Sequence, residues 1–122
     1  MSISREAYKH LLDKQDIKVK NYPSEAQVQL QVIKFLRAKG FVCGKIKTKG
    51  SFSDGKYLFD KYQFRGIADL LVFTNTRMYF IECKSEKGYL SQDQKDFKEL
   101  CNKVRIPYLV VRRVEDVILN VI

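Results

Sequence analysis

The sequence predicts an α/β protein, a mixed β-sheet flanked by helices, with elements in the order α-α-β-β-β-α-β-α. Three observations carry that expectation. Two β-prone apolar runs, 66–73 and 78–84, flank the polar turn Thr74-Asn75-Thr76-Arg77 and read as an antiparallel hairpin. Both faces of that hairpin are apolar, so helices must cover the sheet on both sides. A helical segment then separates the hairpin from the last apolar run, 107–112, and a crossover of that kind implies parallel pairing.

The elements follow in order. Residues 4–14 place Ala7, Leu11 and Leu12 on one side of a short amphipathic helix, and Asn21-Tyr22-Pro23 interrupts the chain. Ser24 is an expected N-cap, and Gln27 completes a capping box. The helix runs to about Lys39 and stops at Gly40, which is free to adopt left-handed backbone. Residues 41–48 predict a strand, and 49–65, rich in Gly, Ser, Asp and Lys, predict a long loop. The hairpin fills 67–84 and a polar turn 85–90. Ser91 and Gln94 form a second capping box and open a helix to about Val104. Residues 107–112 predict the final strand and 114–122 a closing helix. One domain is expected over 1–122, with 1–20 as a helical extension.

Hydrophobic residues make up 45% of the 122, which argues against disorder. Lys and Arg number 23 against 14 Asp and Glu, a net charge of +9 that suggests a polyanionic partner, most commonly nucleic acid. The three cysteines, Cys43, Cys83 and Cys101, include no C-x-x-C pair, so neither a disulfide framework nor a zinc knuckle is expected. Charge from Arg5 onward excludes a secretory signal, and no apolar run approaches membrane-spanning length. His10, the single histidine, reads as a surface residue.

A turn centred on Asn75-Thr76 would set Leu71 opposite Phe80, Leu70 opposite Ile81, and Asp69 opposite Glu82. Directly opposed residues hold their Cβ atoms ~4.5–5.5 Å apart, and like charges there repel. Two carboxylates side by side on apolar strands therefore call for a cation. Lys84 lies two residues past Glu82 and so shares its face. Such a pair suits Mg²⁺ or Mn²⁺, which take hard oxygen ligands, and the Cys83 carbonyl is a third expected donor. Bound there, the cation would activate water for phosphodiester cleavage, with Lys84 stabilising the developing phosphorane charge.

The stretches GIADLLVF, MYFIECKSEKGYLSQDQKDF and PYLVVRRVEDV resemble the virus-type replication-repair nuclease (VRR-NUC) domain of the PD-(D/E)xK superfamily, over roughly 24–118. The resemblance implies a restriction-endonuclease-like fold and a metal-dependent DNA endonuclease, often acting on branched DNA such as four-way (Holliday) junctions. It places the family's acid, acid and lysine on Asp69, Glu82 and Lys84. Its first-helix glutamate falls on Glu25, which would reach the metal through water, and its Ser-x-x-Gln glutamine on Gln94. Glu25 also suits a helix N-terminus and Gln94 its capping box, so each has a structural reading too. Ala68 stands where the superfamily carries proline, a change that affects backbone bias only. A soluble cytoplasmic protein, in a bacterial or phage-infected cell, is expected.

Lys45, Lys47 and Lys49 alternate along the predicted strand, and Lys56, Lys61 and Arg65 continue the charge toward Asp69. Tyr57, Phe59, Tyr62 and Phe64 interleave with them, a pattern suited to phosphates and unpaired bases. Arg112 and Arg113 are further candidates for phosphate contact. Cutting two strands with one small domain implies a homodimer, with the first helix as its contact. DNA is thus the expected partner, with no membrane and no small-molecule cofactor. The alternatives are a duplex nicking or restriction-type nuclease on the same scaffold, and a non-catalytic basic binding module.

Overall fold

The computed structural model describes residues 22–46 and 61–121, and the backbone of 51–53 and 56–58. The expected helix at 4–14 lies outside the described residues.

Helix α1 spans Glu25–Ala38 and opens as the sequence predicts. Ser24 Oγ accepts from the Gln27 N–H at 3.2 Å, and Gln27 Oε1 accepts from the Ser24 N–H at 2.8 Å. Val28, Val32, Ile33 and Leu36 recur at helical spacing and form its buried face. Its end is a Schellman closure on Gly40, whose φ is +87°. There the Gly40 N–H donates to Arg37 O at 3.0 Å and the Phe41 N–H to Leu36 O at 3.1 Å.

Strand β1 (Val42–Lys45) follows, then β2 (Ser51–Ser53) and β3 (Lys56–Leu58), which pair antiparallel with each other as a separate ribbon. That ribbon corrects the plain loop expected over 49–65. Its register sets Ser53 against Lys56, and the sequence between them, Asp54-Gly55, is a dipeptide favoured in two-residue hairpin turns. The rest of the chain forms β4 (Leu70–Phe73), β5 (Met78–Cys83), α2 (Gln92–Lys103), β6 (Tyr108–Val111) and α3 (Val114–Asn120).

The main sheet runs β1-β4-β5-β6. β1 and β5 each pair antiparallel with β4, and β6 joins β5 in parallel, as a crossover through α2 requires. The β4–β5 register sets Leu70 against Ile81 and Leu71 against Phe80, matching the register read from the turn. Thr74 Oγ1 holds that turn by accepting from the N–H groups of Thr76 and Arg77 at 3.3 and 3.0 Å.

Alternation along the strands divides the interior in two. On one face Leu70, Val72, Ile81, Cys83 and Val111 pack against Val28, Val32, Ile33 and Leu36 of α1 and Val117 of α3. On the other, Ala68, Phe80, Tyr108 and Val110 pack against Phe97 and Cys101 of α2. Leu36, Leu70 and Ile81 are fully buried, each contributing about 1.5–3 kcal/mol relative to exposure. The sheet is thus sandwiched between helices, and its second face, under α2, carries Asp69 and Glu82.

Candidate active site

Asp69 immediately precedes β4, and extending the hairpin register one step sets it against Glu82 near the end of β5. Both carboxylates are buried, at 5% and 1% exposure. Each is anchored across the hairpin by a backbone N–H of the other strand. Asp69 Oδ2 accepts from the Cys83 N–H at 2.9 Å, and Glu82 Oε2 accepts from the Asp69 N–H at 3.1 Å. These bonds continue the ladder through side chains and fix both head groups in place.

Helix α2 contributes the next group. Gln94 Nε2 donates to Glu82 Oε1 at 2.7 Å, while Gln94 Oε1 accepts from the Ser91 N–H at 2.8 Å. One amide therefore closes the capping box and also bonds the Glu82 carboxylate. Lys84 follows on the same face of the strand, with Nζ 3.8 Å from Glu82 Oε1 and 3.7 Å from Glu25 Oε1. Its side chain is only 11% exposed, whereas that of Glu25 is 49% exposed and reaches the cluster through the ammonium.

No family model matches the chain, and no curated protein matches it. Among solved structures, the chain is similar to one described as a VRR_NUC domain. The TM-score is 0.60 at 21% identity, and the match covers 82% of this chain and 100% of that one. The fold is that of a VRR_NUC domain.

Gly66, which the sequence reading did not single out, and Arg112, read there only as a phosphate contact, brace the segments flanking the acid pair within this VRR_NUC fold. Gly66 has φ +71°, and its Cα lies so near the backbone of Asp93 and Gln94 that a Cβ would overlap them. This contact seats the segment leading to Asp69 against the start of α2. Arg112, just past β6, donates from Nη1 to three carbonyls of the loop after Lys84: Ser85 at 2.6 Å, Gly88 at 2.8 Å and Glu86 at 3.2 Å. Arg113 pairs with Glu86 at 2.8 Å. Both guanidinium groups thus tie down the loop, where the sequence suggested phosphate contacts. Arg112→Ala is expected to cost about 2–3 kcal/mol, from lost bonds between a charged donor and part-buried carbonyls. A urea unfolding midpoint shows this directly.

The groups around the acids are buried as well. Burial, reinforced by the negative charge of Asp69 and Glu82, pushes the Cys83 thiol up, so it stays protonated on the opposite face. Cys43 and Cys101 are also buried, free and raised by burial. Burial, with Glu82 and Asp69 nearby, likewise pushes up the Tyr108 phenol, whose hydroxyl finds no hydrogen-bond partner among the described residues.

The donor set has the chemistry a hard divalent cation needs. Asp69 and Glu82 offer carboxylate oxygens from one rigid hairpin, and Glu25 brings the local excess of carboxylates over ammonium to two. No cluster of three or more His, Cys, Asp or Glu able to hold a metal occurs among the described residues. Two protein carboxylates suit a Mg²⁺-type ion, which keeps several waters.

Of the predicted basic surface, Lys45 ends β1 exposed, paired with Leu70 beside the acid end of β4. Lys61 and Arg65 are exposed, and Lys61 Nζ lies 5.0 Å from the ring centroid of Tyr62, itself 84% exposed. Phe64 packs edge-on against Phe97. Lys47, Lys49 and Phe59 lie outside the described residues, and of Lys56 and Tyr57 only the backbone is described.

Proposed function

We propose that this chain is a divalent-metal-dependent DNA endonuclease, hydrolysing phosphodiester bonds at Asp69 and Glu82. The observation that carries the reading is the buried pair itself. Two carboxylates held by amide donors, with one ammonium 3.8 Å away, form a preorganised acid-acid-lysine set at the end of a sheet. A module that merely bound DNA would gain nothing from fixed carboxylates beside phosphate. The VRR_NUC fold supports the same reading.

In this reading Asp69 and Glu82 hold the metal, with the Cys83 carbonyl as a further donor and Glu25 acting through water. Mg²⁺ or Mn²⁺ bound there would supply Lewis acidity and lower the pKa of a water nucleophile. Gln94 orients Glu82 by its 2.7 Å bond, so the ligand geometry does not depend on the metal. Lys84 is held between Glu82 and Glu25, its ammonium directed to the charge that develops on the phosphoryl oxygens. Lys84→Ala is expected to lower kcat by ~10²–10³ while metal affinity persists. Calorimetric loss of metal binding in that variant would assign Lys84 a different role.

In this reading DNA approaches over the exposed Lys45, Lys61 and Arg65. The phosphate backbone is the main contact, so recognition follows DNA shape more than sequence. A homodimer would present two equivalent sites to the two equivalent strands of a four-way junction. The test is a panel of labelled four-way, flap, duplex and single-stranded substrates with Mg²⁺ or Mn²⁺, alongside light scattering. Faster cleavage of branched substrates by a dimer is the expected result. A monomer cutting duplex as fast as junction would remove the branched-DNA preference and leave the nuclease assignment intact.

A further inference from the structure

At the opposite end of the sheet from the acid pair, Arg77, Met78, Arg105, Ile106 and Pro107 line a cleft of about 290 Å³. Arg77 ends the β4–β5 turn, and Arg105 follows α2. Neither guanidinium forms an ion pair among the described residues, and no acidic residue lines the cleft. Two like charges sharing one concavity repel, and an anion between them relieves that repulsion. Met78, Ile106 and Pro107 make the remaining wall apolar.

Arg105 carries a second, independent sign of function. The end of α2 is a Schellman closure like that of α1, with the Arg105 N–H donating to Asn102 O at 3.2 Å and the Ile106 N–H to Cys101 O at 2.9 Å. In α1 the left-handed position of this motif is Gly40, with φ +87°. In α2 the same position is Arg105, with φ +62°, and it is the one described residue other than glycine with positive φ. Glycine takes that conformation without a Cβ penalty, so arginine is held there against local backbone preference. The side chain it adds points to a use, and the cleft supplies one.

We propose that this cleft is a nucleotide subsite for a single-stranded segment of the DNA substrate. Arg77 and Arg105 clasp a phosphate, for which planar guanidinium groups are suited, and Met78, Ile106 and Pro107 receive the adjoining sugar or base. Glu82 lies five steps along β5 from Arg77, roughly 17 Å at the rise of a strand. Helix α2 overlies the sheet between the two ends. A stiff duplex seated at the acid pair does not bend round that helix over so short a path, whereas a flexible unpaired strand does. This inference rests on the reading of DNA as the ligand, not on catalysis.

The test is fluorescence anisotropy of a labelled single-stranded oligonucleotide without divalent metal, using wild type, Arg105→Gly, Arg105→Lys and Arg77→Ala, with a melting curve for each. Arg105→Gly is expected to melt no lower than wild type and yet bind several-fold more weakly. The slope of log K against log salt should flatten by about 0.7 for Arg105→Gly and for Arg77→Ala, and stay near wild type for Arg105→Lys. Unchanged affinity and slope in both Arg105→Gly and Arg77→Ala overturn the proposal. So does a loss of dAMP binding with oligonucleotide binding intact, which would make the cleft a site for free nucleotide. If Arg105→Gly melts lower, Arg77→Ala decides by the same slope. Weakened binding in a protein that cuts no DNA would uphold the subsite and sink the nuclease. Metal-dependent cutting with unchanged binding in the arginine variants would do the reverse.

Discussion

Alanine at Asp69 or at Glu82 is expected to abolish DNA cleavage and leave DNA affinity essentially unchanged. In the proposed reading each carboxylate would be one of two charged oxygen ligands on the hairpin, so neither loss could be covered by the other. In the same reading phosphate contacts would come from the exposed basic residues, which the substitutions do not touch. A structural side effect is also expected, because Asp69→Ala strips the acceptor from the Cys83 N–H and Glu82→Ala strips those from the Asp69 N–H and Gln94. A buried donor left unpaired costs about 1–3 kcal/mol. Asp69→Asn and Glu82→Gln lose the charge but retain an amide oxygen for the backbone donor, although the new amide NH2 of Glu82→Gln would face the Gln94 donor. Inactive but stable amide variants would confirm the ligand role. Near-normal cutting by either alanine variant in saturating metal would remove it.

Gly66→Ala is expected to be the most damaging change outside the acid pair. Its Cβ would overlap the carbonyl group of Asp93 and the amide of Gln94, both backbone atoms at the start of α2. They cannot yield without moving the helix, and φ +71° adds left-handed strain for any residue with a Cβ. Overpacking and strain together cost roughly 3 kcal/mol or more. The displacement also carries Gln94 away from Glu82, so activity should fall further than the folded fraction does. Urea unfolding measures the first effect, and kcat measured on the folded fraction measures the second. A Gly66→Ala protein with wild-type stability would show that the approach of this segment to α2 is looser than described.

The arrangement of the candidate site was largely legible because Asp69, Glu82 and Lys84 lie in one local element. Apolar alternation and the short turn at Asn75-Thr76 fix the hairpin register, and the register alone brings Asp69 to Glu82 and puts Lys84 on their face. The two Ser-x-x-Gln capping boxes were readable for the same local reason. Gln94's bond to Glu82 was not, since it depends on where α2 crosses the sheet. Arg112 reaches carbonyls 24–27 residues away, and Gly66 meets Asp93 by a tertiary approach, so neither leaves a signal in spacing. The β2–β3 ribbon did leave one, Asp54-Gly55, but short strands in a charged segment look like loop. Arg105 is the reverse case, a left-handed helix terminus without the glycine that announces one.

The metal requirement of cleavage tests the central claim most directly. Wild-type protein is incubated with an end-labelled four-way junction in Mg²⁺, in Mn²⁺ and in excess EDTA, with Asp69→Asn in parallel under each condition. Cleavage by wild type in either metal, none in EDTA, and none by Asp69→Asn anywhere is the predicted result. Cleavage that survives EDTA, or that Asp69→Asn retains in metal, would contradict it.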